Sequence, residues 1–271
     1  MEQTVKSNDA ALFRDRLVRI LSGDRRILGV GQTGDINAPL ISGKSDIDLF
    51  VICSSIPSAA ERLAYYGEIK EDCASLHMSV CSKGVWGEGD VFSVGGIDVM
   101  PMYFSEEEMR NYLIEILDGK HLEKEGRFYP VGRLASIETL HVLYDADGTM
   151  KRMIDMVKEH PAEFFEKWIQ SESWRILDEE DLGRAELRHE VLFYHQVVEE
   201  FLDHFLQVLY AKNNCYFPSR KRCSAFIERF QKKPERCLER LMHIIRTASD
   251  ENSIDESVKT LREIGNELLR L

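Results

Sequence analysis

The sequence has no apolar run long enough to cross a bilayer. It also shows no apolar core of signal-peptide length near its start, where MEQTVKSNDAALFRD is polar and partly acidic. The longest clean apolar stretches, such as LFVIC at 49–53, have the length of a strand. Six cysteines, at 53, 73, 81, 215, 223 and 237, include no C-x-x-C pair. They read as reduced thiols of a cytoplasmic protein, several of them packed as small apolar groups. No zinc site is legible, and His189-Glu190 lacks the second histidine of a metalloprotease helix. Basic charge is in deficit: 35 Lys and Arg stand against 47 Asp and Glu, a formal charge of −12. That balance disfavours nucleic acid as a partner, because neutralising phosphates takes a clustered basic surface. It suits a cationic small substrate, and equally an ordinary acidic protein. There is no internal repeat and no low-complexity linker.

The 271 residues are enough for one large or two modest domains, and 44% apolar content supplies a sizeable core. The chain has two rhythms. From Arg26 to about Tyr144, strand and helix signals alternate. RILGV and IDLFVIC read as strands, 58–76 has helical spacing behind Ser58 as a cap, and WGEGDVFSVGGIDVMPMYF reads as a hairpin, with HMSVCS as a further strand. Ser105 and Glu108 form a capping-box pair, and Gly119 closes that helix. ETLHVLYD, 138–145, fits a last strand or a helix end. After Gly148 the strand signals fade. Helical periodicity covers TMKRMIDMVKEH, AEFFEKWIQ, a long segment near 184–212, and 220–230, 235–248 and 253–270. In the long segment Leu187, Val191, Tyr194, Val198, Phe201, Leu202, Phe205 and Leu209 form one stripe. Trp168, Trp174, Phe164 and Phe165 read as core. The expected fold is α+β: a sheet-bearing half over 1–148, then an all-α helical bundle over 149–271.

Within GQTGDINAPLISGKSDIDLFVIC, Gly31 to Cys53, two aspartates stand two apart in a strand. Strand residues two apart share a face, so Asp46 and Asp48 project together while Ile47 and Leu49 turn to the core. Neighbouring carboxylates repel, and each disfavours ionisation of the other. That cost is tolerable at a strand tip open to water, and it becomes useful with a divalent cation between them. A bare D-x-D is also what a solvated strand start looks like. Here it follows a glycine-bearing loop, Gly29-Val-Gly31-Gln-Thr-Gly34, of the kind that lets backbone N–H groups approach phosphate. A later apolar strand, GGIDVMP, carries a single acid, Asp98.

This order of strand, G-x-x-G loop, SDIDLF strand and later one-aspartate strand resembles the nucleotidyltransferase superfamily of the DNA polymerase β type. Within it, the chain is most similar to the small two-domain bacterial aminoglycoside and lincosamide nucleotidyltransferases. The resemblance covers about 26–104; over the helical half it is carried by YFPSRKR, 216–222. It implies a mixed-sheet catalytic domain and a helical acceptor-binding domain. The implied reaction uses ATP or another nucleoside triphosphate and two Mg²⁺ ions. It moves a nucleoside monophosphate to a hydroxyl of a small acceptor, with an antibiotic of aminoglycoside or lincosamide type among the candidates, and releases pyrophosphate. Asp46, Asp48 and Asp98 would be the catalytic and metal-holding residues. Gly31, Gln32, Thr33, Gly34, Ser45 and Lys221 would bind the nucleotide. The resemblance also points to a glutamate of the helical half as general base, for which Glu190, Glu199 and Glu200 stand on the long segment, with His195 nearby as a core histidine. Arg220, Lys221 and Arg222 follow Pro218 at a helix start, a place that favours anions. Where the family has Gly-Ser, this chain has Gly31-Gln32. Thr33 offers a hydroxyl one position later, and Gly34-Asp35 is the other candidate equivalent. The alternatives are a protein or RNA acceptor, or a nucleotide-binding sensor on an inactive site. The chain is expected to act as a monomer or homodimer away from membranes.

Overall fold

Helix starts and stops are written locally. Ser58 accepts a hydrogen bond from the Glu61 N–H while the Glu61 carboxylate accepts from the Ser58 N–H, a complete capping box that opens a helix over Ala59–Tyr66. Asp178 caps Glu179–Arg188 by accepting from the N–H groups of Glu180 and Asp181. The computed structural model describes residues 2–80, 87–126, 128–159 and 161–271, with side chains from Asp9 onward. Cys81, the expected strand residues 81–82 and Trp86 of the expected hairpin lie outside these.

In chain order the elements are α1 (Glu2–Leu21), β1 (Ile27–Gln32), β2 (Asp46–Cys53), α2 (Ala59–Tyr66), β3 (Ser75–His77), β4 (Glu88–Gly89), β5 (Val91–Val94), β6 (Ile97–Ser105), α3 (Glu106–Leu117), α4 (Val131–Glu138), β7 (His141–Asp145), α5 (Thr149–Lys158), α6 (Ala162–Ser173), α7 (Glu179–Arg188), α8 (Val191–Lys212), α9 (Cys223–Arg229), α10 (Cys237–Thr247) and α11 (Ile254–Arg270). The fold is α+β. A mixed sheet runs β3-β5-β6-β2-β1-β7, with β4 paired to β6. Among the described residues, only β2 and β6 pair in parallel; β1 with β2, β1 with β7, β3 with β5, β4 with β6, and β5 with β6 are antiparallel.

The chain divides into two compact units, Met1–Glu115 with Ser136–Glu159, and Ile116–Ala135 with His160–Leu271. It therefore crosses three times rather than once at 148. The reason is the sheet: β7 pairs with β1, and α5 follows it onto that strand, where Met150 lies against Gly29 and Gly31. An added Cβ on Gly31 would sit 2.7 Å from Leu140 Cγ and 2.9 Å from Met150 Cε, so the strand is glycine there to admit close packing.

The other face of the sheet is covered by α1, whose Ala10, Phe13, Leu17 and Leu21 join Val30, Ile47, Leu49, Val51 and Phe92 in one core. This first helix lies ahead of the region where strand and helix signals alternate, and spacings of three and four from Ala10 to Leu21 spell it. Inside the same unit, Arg62 and Asp90 form a fully buried bidentate ion pair, Nε–Oδ2 2.7 Å and Nη2–Oδ1 3.1 Å.

Three expectations are corrected. The helical spacing over 58–76 stops at Tyr66; Gly67 takes the cap, a short 3-10 turn covers Lys70–Asp72, and β3 follows. The long helix near 184–212 is two helices, broken where His189 turns left-handed at φ 50°. Leu187 consequently leaves the stripe and is 83% exposed. Trp174, one residue past α6, is 71% exposed, whereas Trp168, Phe164 and Phe165 are buried as expected.

The helical unit is pinned by Asp203. Lys124, Tyr129 and Arg220 all donate to its carboxylate. Burial pushes this carboxyl up, but those donors and the Arg220 charge outweigh it and hold it below its ordinary value. A carboxylate depressed by folding stabilises the protein above its unfolded pKa of about 4, and that contribution is lost as pH falls through the folded value. Asp203→Asn should therefore lower the thermal midpoint at neutral pH. The gap between native protein and variant should close on acidification below about pH 4, as followed by circular dichroism.

Candidate active site

β2 begins with an alternation of exposed Asp46, buried Ile47, half-buried Asp48 and buried Leu49. β6 begins with buried Ile97, exposed Asp98 and buried Val99. Parallel pairing matches Asp46 with Asp98 and Asp48 with Met100. Paired residues on adjacent strands share a face, at a spacing of about 4.8 Å between strands. The three acids therefore lie on one face, at the starts of two neighbouring strands. Among the described residues, no three His, Cys, Asp or Glu side chains close into a metal-holding cluster. The donor set nevertheless suits a hard divalent cation: it is oxygen-only, with Asp46 and Asp98 exposed to water and Asp48 half-buried beside them.

The loop between β1 and β2 is anchored at both ends. At its start, the Thr33 N–H continues the ladder to the Asp48 carbonyl at 3.0 Å. At its end, the Gly43 N–H reaches the Gly96 carbonyl at 2.7 Å. Gly96 has φ +78°, and a Cβ there would lie 2.2 Å from Ser42 Oγ. Two glycine turns thus lock together the segments leading into Asp46 and Asp98. Asp35 holds its own turn by accepting from the Asn37 N–H at 2.9 Å.

The residues expected to bind nucleotide separate into distinct roles. Gly31 lies inside β1, paired with Phe50 on one side and Val142 on the other. Gln32 is 5% exposed, and its Oε1 accepts from Arg14 Nη1 at 2.8 Å. Thr33 is half-buried and Gly34 exposed, with φ +79° and open space where a side chain would be. Ser45 Oγ accepts from the Ile41 N–H at 2.9 Å, closing the turn before β2. Lys221 belongs to the helical unit, where its N–H donates to Ser219 Oγ at 3.2 Å.

In that unit Arg220 is committed. It donates to Asp203 and Glu199, with Nη1–Oε2 at 2.6 Å for the latter. His195 is exposed rather than a core histidine, because it falls off the buried stripe of α8. His195, Glu199 and Arg220 meet on the wall of a cavity of about 250 Å³ floored by Leu202, Leu241 and Met242. Glu200 lines a second cavity of about 380 Å³ with His204. His204 Nδ1 lies 2.7 Å from an oxygen of buried Glu172, a pair absent from the sequence reading because 32 residues separate its members. Glu190 stands exposed at the start of α8. The five described cysteines are free; Cys53, Cys223 and Cys237 are buried, and burial pushes the thiols of Cys53 and Cys237 up to about 12. Among the described residues, no helix is long and apolar enough to cross a membrane.

A family model described as a domain of unknown function (DUF4037) matches residues 128–222, less than half of the chain. A search of curated proteins finds no match to this sequence. Among solved structures, the chain is similar to a nucleotidyltransferase-like protein from Exiguobacterium sibiricum, at 9% identity and a TM-score of 0.48, over 93% of this chain and 74% of that one. It is also similar to the spectinomycin adenyltransferase AAD(9) from Enterococcus faecialis, solved with ATP and spectinomycin, at 13% identity and a TM-score of 0.40, over 97% of this chain and 98% of that one. At such distance these likenesses say nothing of what this chain binds.

Proposed function

We propose that the chain is a Mg²⁺-dependent nucleotidyltransferase acting on a small hydroxylated acceptor, with ATP or another nucleoside triphosphate as donor. The single observation that carries the reading is the parallel pairing of β2 with β6. It aligns Asp46 with Asp98 and keeps Asp48 on their face, and the Thr33 N–H bond to the Asp48 carbonyl brings the start of the loop to the same strand.

Asp46, Asp48 and Asp98 would hold the two cations. Bound there, Mg²⁺ supplies charge neutralisation for the triphosphate and acidifies an acceptor hydroxyl. The Thr33 side chain and the Gly34 N–H orient the β- and γ-phosphates, the Thr33 N–H being taken by the Asp48 carbonyl, and the open space at Gly34 lets the backbone come close. Asp98, exposed at the rim, receives the acceptor's proton and passes it to water. The acceptor oxygen bonds to the α-phosphorus as the bond from that phosphorus to its bridging oxygen breaks, and pyrophosphate leaves. Ser45 shapes the approach to Asp46 through its turn, and Lys221 is assigned to the nucleotide from its place in the basic run after Pro218. The free, buried cysteines are in keeping with work in the cytoplasm.

The test is incubation of the native protein with ATP, Mg²⁺ and an acceptor library that includes aminoglycosides and lincosamides. A mass gain of one nucleoside monophosphate on an acceptor, with stoichiometric pyrophosphate, is expected. Nucleotide binding without turnover on any acceptor, a protein or RNA included, would leave a sensor in place of a transferase.

A further inference from the structure

The loop's departure from Gly-Ser has a geometric answer. In the register of β1 with β2, Gly31 faces Phe50 and Gln32 faces Leu49. Leu49 belongs to the α1-side core, together with Val30, Ile47 and Val51. The Gln32 side chain therefore leaves the sheet on the α1 side, away from the acids, and meets Arg14 there. Thr33 is one residue on, and its N–H bond to the Asp48 carbonyl continues the same register. Residues opposite each other in a ladder share a face, so Thr33 stands on the face of Asp46, Asp48 and Asp98.

We propose that Arg14, acting through Gln32, is the positioning residue that fixes the strand end presenting Thr33. This rests on the transferase reading for the nucleotide, but not for the tether. Gln32 is buried, and a buried amide needs its partners. Arg14 is itself held, its Nε donating to Asp15 Oδ1 at 2.8 Å, so the guanidinium is pre-set toward Gln32. The chain from α1 to the loop start is then Arg14, Gln32, Thr33 and the Asp48 carbonyl, with no step longer than an ordinary hydrogen bond or a peptide unit.

Two measurements on purified variants decide it. In calorimetric titration with ATP and Mg²⁺, Thr33→Val should weaken binding about tenfold, as loss of a hydrogen bond to a charged group does, and Thr33→Ser should restore it to within about twofold. Gln32→Met and Arg14→Met should each raise the KM for ATP about threefold while leaving the acceptor's KM unchanged. The double variant should be no worse than either single, since both act through one contact. The idea is overturned if Thr33→Val binds like the native protein while Gln32→Met loses tenfold or more with Arg14 intact. In the nucleotide-free protein, the thermal midpoints of Gln32→Met, Arg14→Met and the double should be non-additive; additivity removes the tether. Failure of the native protein to bind nucleotide at all would instead strike the transferase reading and Thr33's role with it, leaving the tether to the thermal cycle.

Discussion

Asp48→Asn should abolish nucleotidyl transfer, lowering kcat/KM by about a thousandfold or more, while the far-UV circular dichroism spectrum stays native. Asn keeps the shape of the side chain and removes its charge, so the core contacts of its neighbours Ile47 and Leu49 are untouched. A thousandfold corresponds to about 4 kcal/mol of lost transition-state stabilisation, a reasonable share for one charged member of an electrostatic site. Asp46→Asn and Asp98→Asn should fall as far. The distinguishing signature lies in stability. Asp46 and Asp98 are partners across parallel strands, and like charges directly opposite are destabilising. Without metal, neutralising either acid should leave the thermal midpoint unchanged or raise it, whereas a structural carboxylate would cost stability when neutralised. Added Mg²⁺ should raise the midpoint of the native protein and not that of Asp48→Asn. Full pyrophosphate release by any one of the three Asn variants would sink the assignment of that residue.

The second large effect concerns the buried Arg62–Asp90 pair. Asp90→Ala should destabilise the sheet unit by about 3–5 kcal/mol, because it strands a guanidinium with no exposed surface in the core. Asp90 also accepts from Tyr66 at 2.7 Å and from the Ser79 N–H at 2.8 Å, so several donors lose their acceptor together. Burial pushes the Tyr66 and Tyr103 phenols well up, which keeps Tyr66 protonated as that donor. Arg62 donates further to the Pro57 carbonyl at 2.9 Å and to Glu88 at 2.9 Å, tying α2 to β4. The Arg62→Met, Asp90→Leu double variant should recover much of the loss, since it removes both fully buried charges and leaves only the partly exposed Glu88 without its cation. Urea unfolding of the three proteins, followed by circular dichroism, measures this. A double variant no more stable than Asp90→Ala would mean that the remaining polar contacts, not the charge, carry the cost.

Much of the architecture was legible because it is local. The Ser58–Glu61 box, the hairpin turn at Gly95-Gly96 and the strand over Asp46–Cys53 are each set within a few residues. The ambiguous stretch 138–145 proved to be both readings, α4 ending at Glu138 and β7 starting at His141. Where the reading failed, competing signals were close in strength. The periodicity of α8 extends backward through Leu187, yet the left-handed turn at His189 ends α7. The polar surface residues of α1 mask a four-residue apolar stripe that only a partner sheet makes decisive.

For the site, the sequence by itself determined that Asp46 and Asp48 share a face and that Ile47 and Leu49 do not, because side chains along a strand alternate with a period of two. It also determined that glycines stand where the backbone turns left-handed, at Gly34, Gly43 and Gly96. Only the tertiary structure decided that Asp98 lies beside Asp46, that Gln32 turns away toward Arg14 while Thr33 turns toward the acids, and that Arg220 serves Asp203 and Glu199. Those outcomes depend on strand register and on pairings between residues 17 to 52 apart in the chain. Register is chosen by which faces of several elements bury best together, and no short window of residues contains that information.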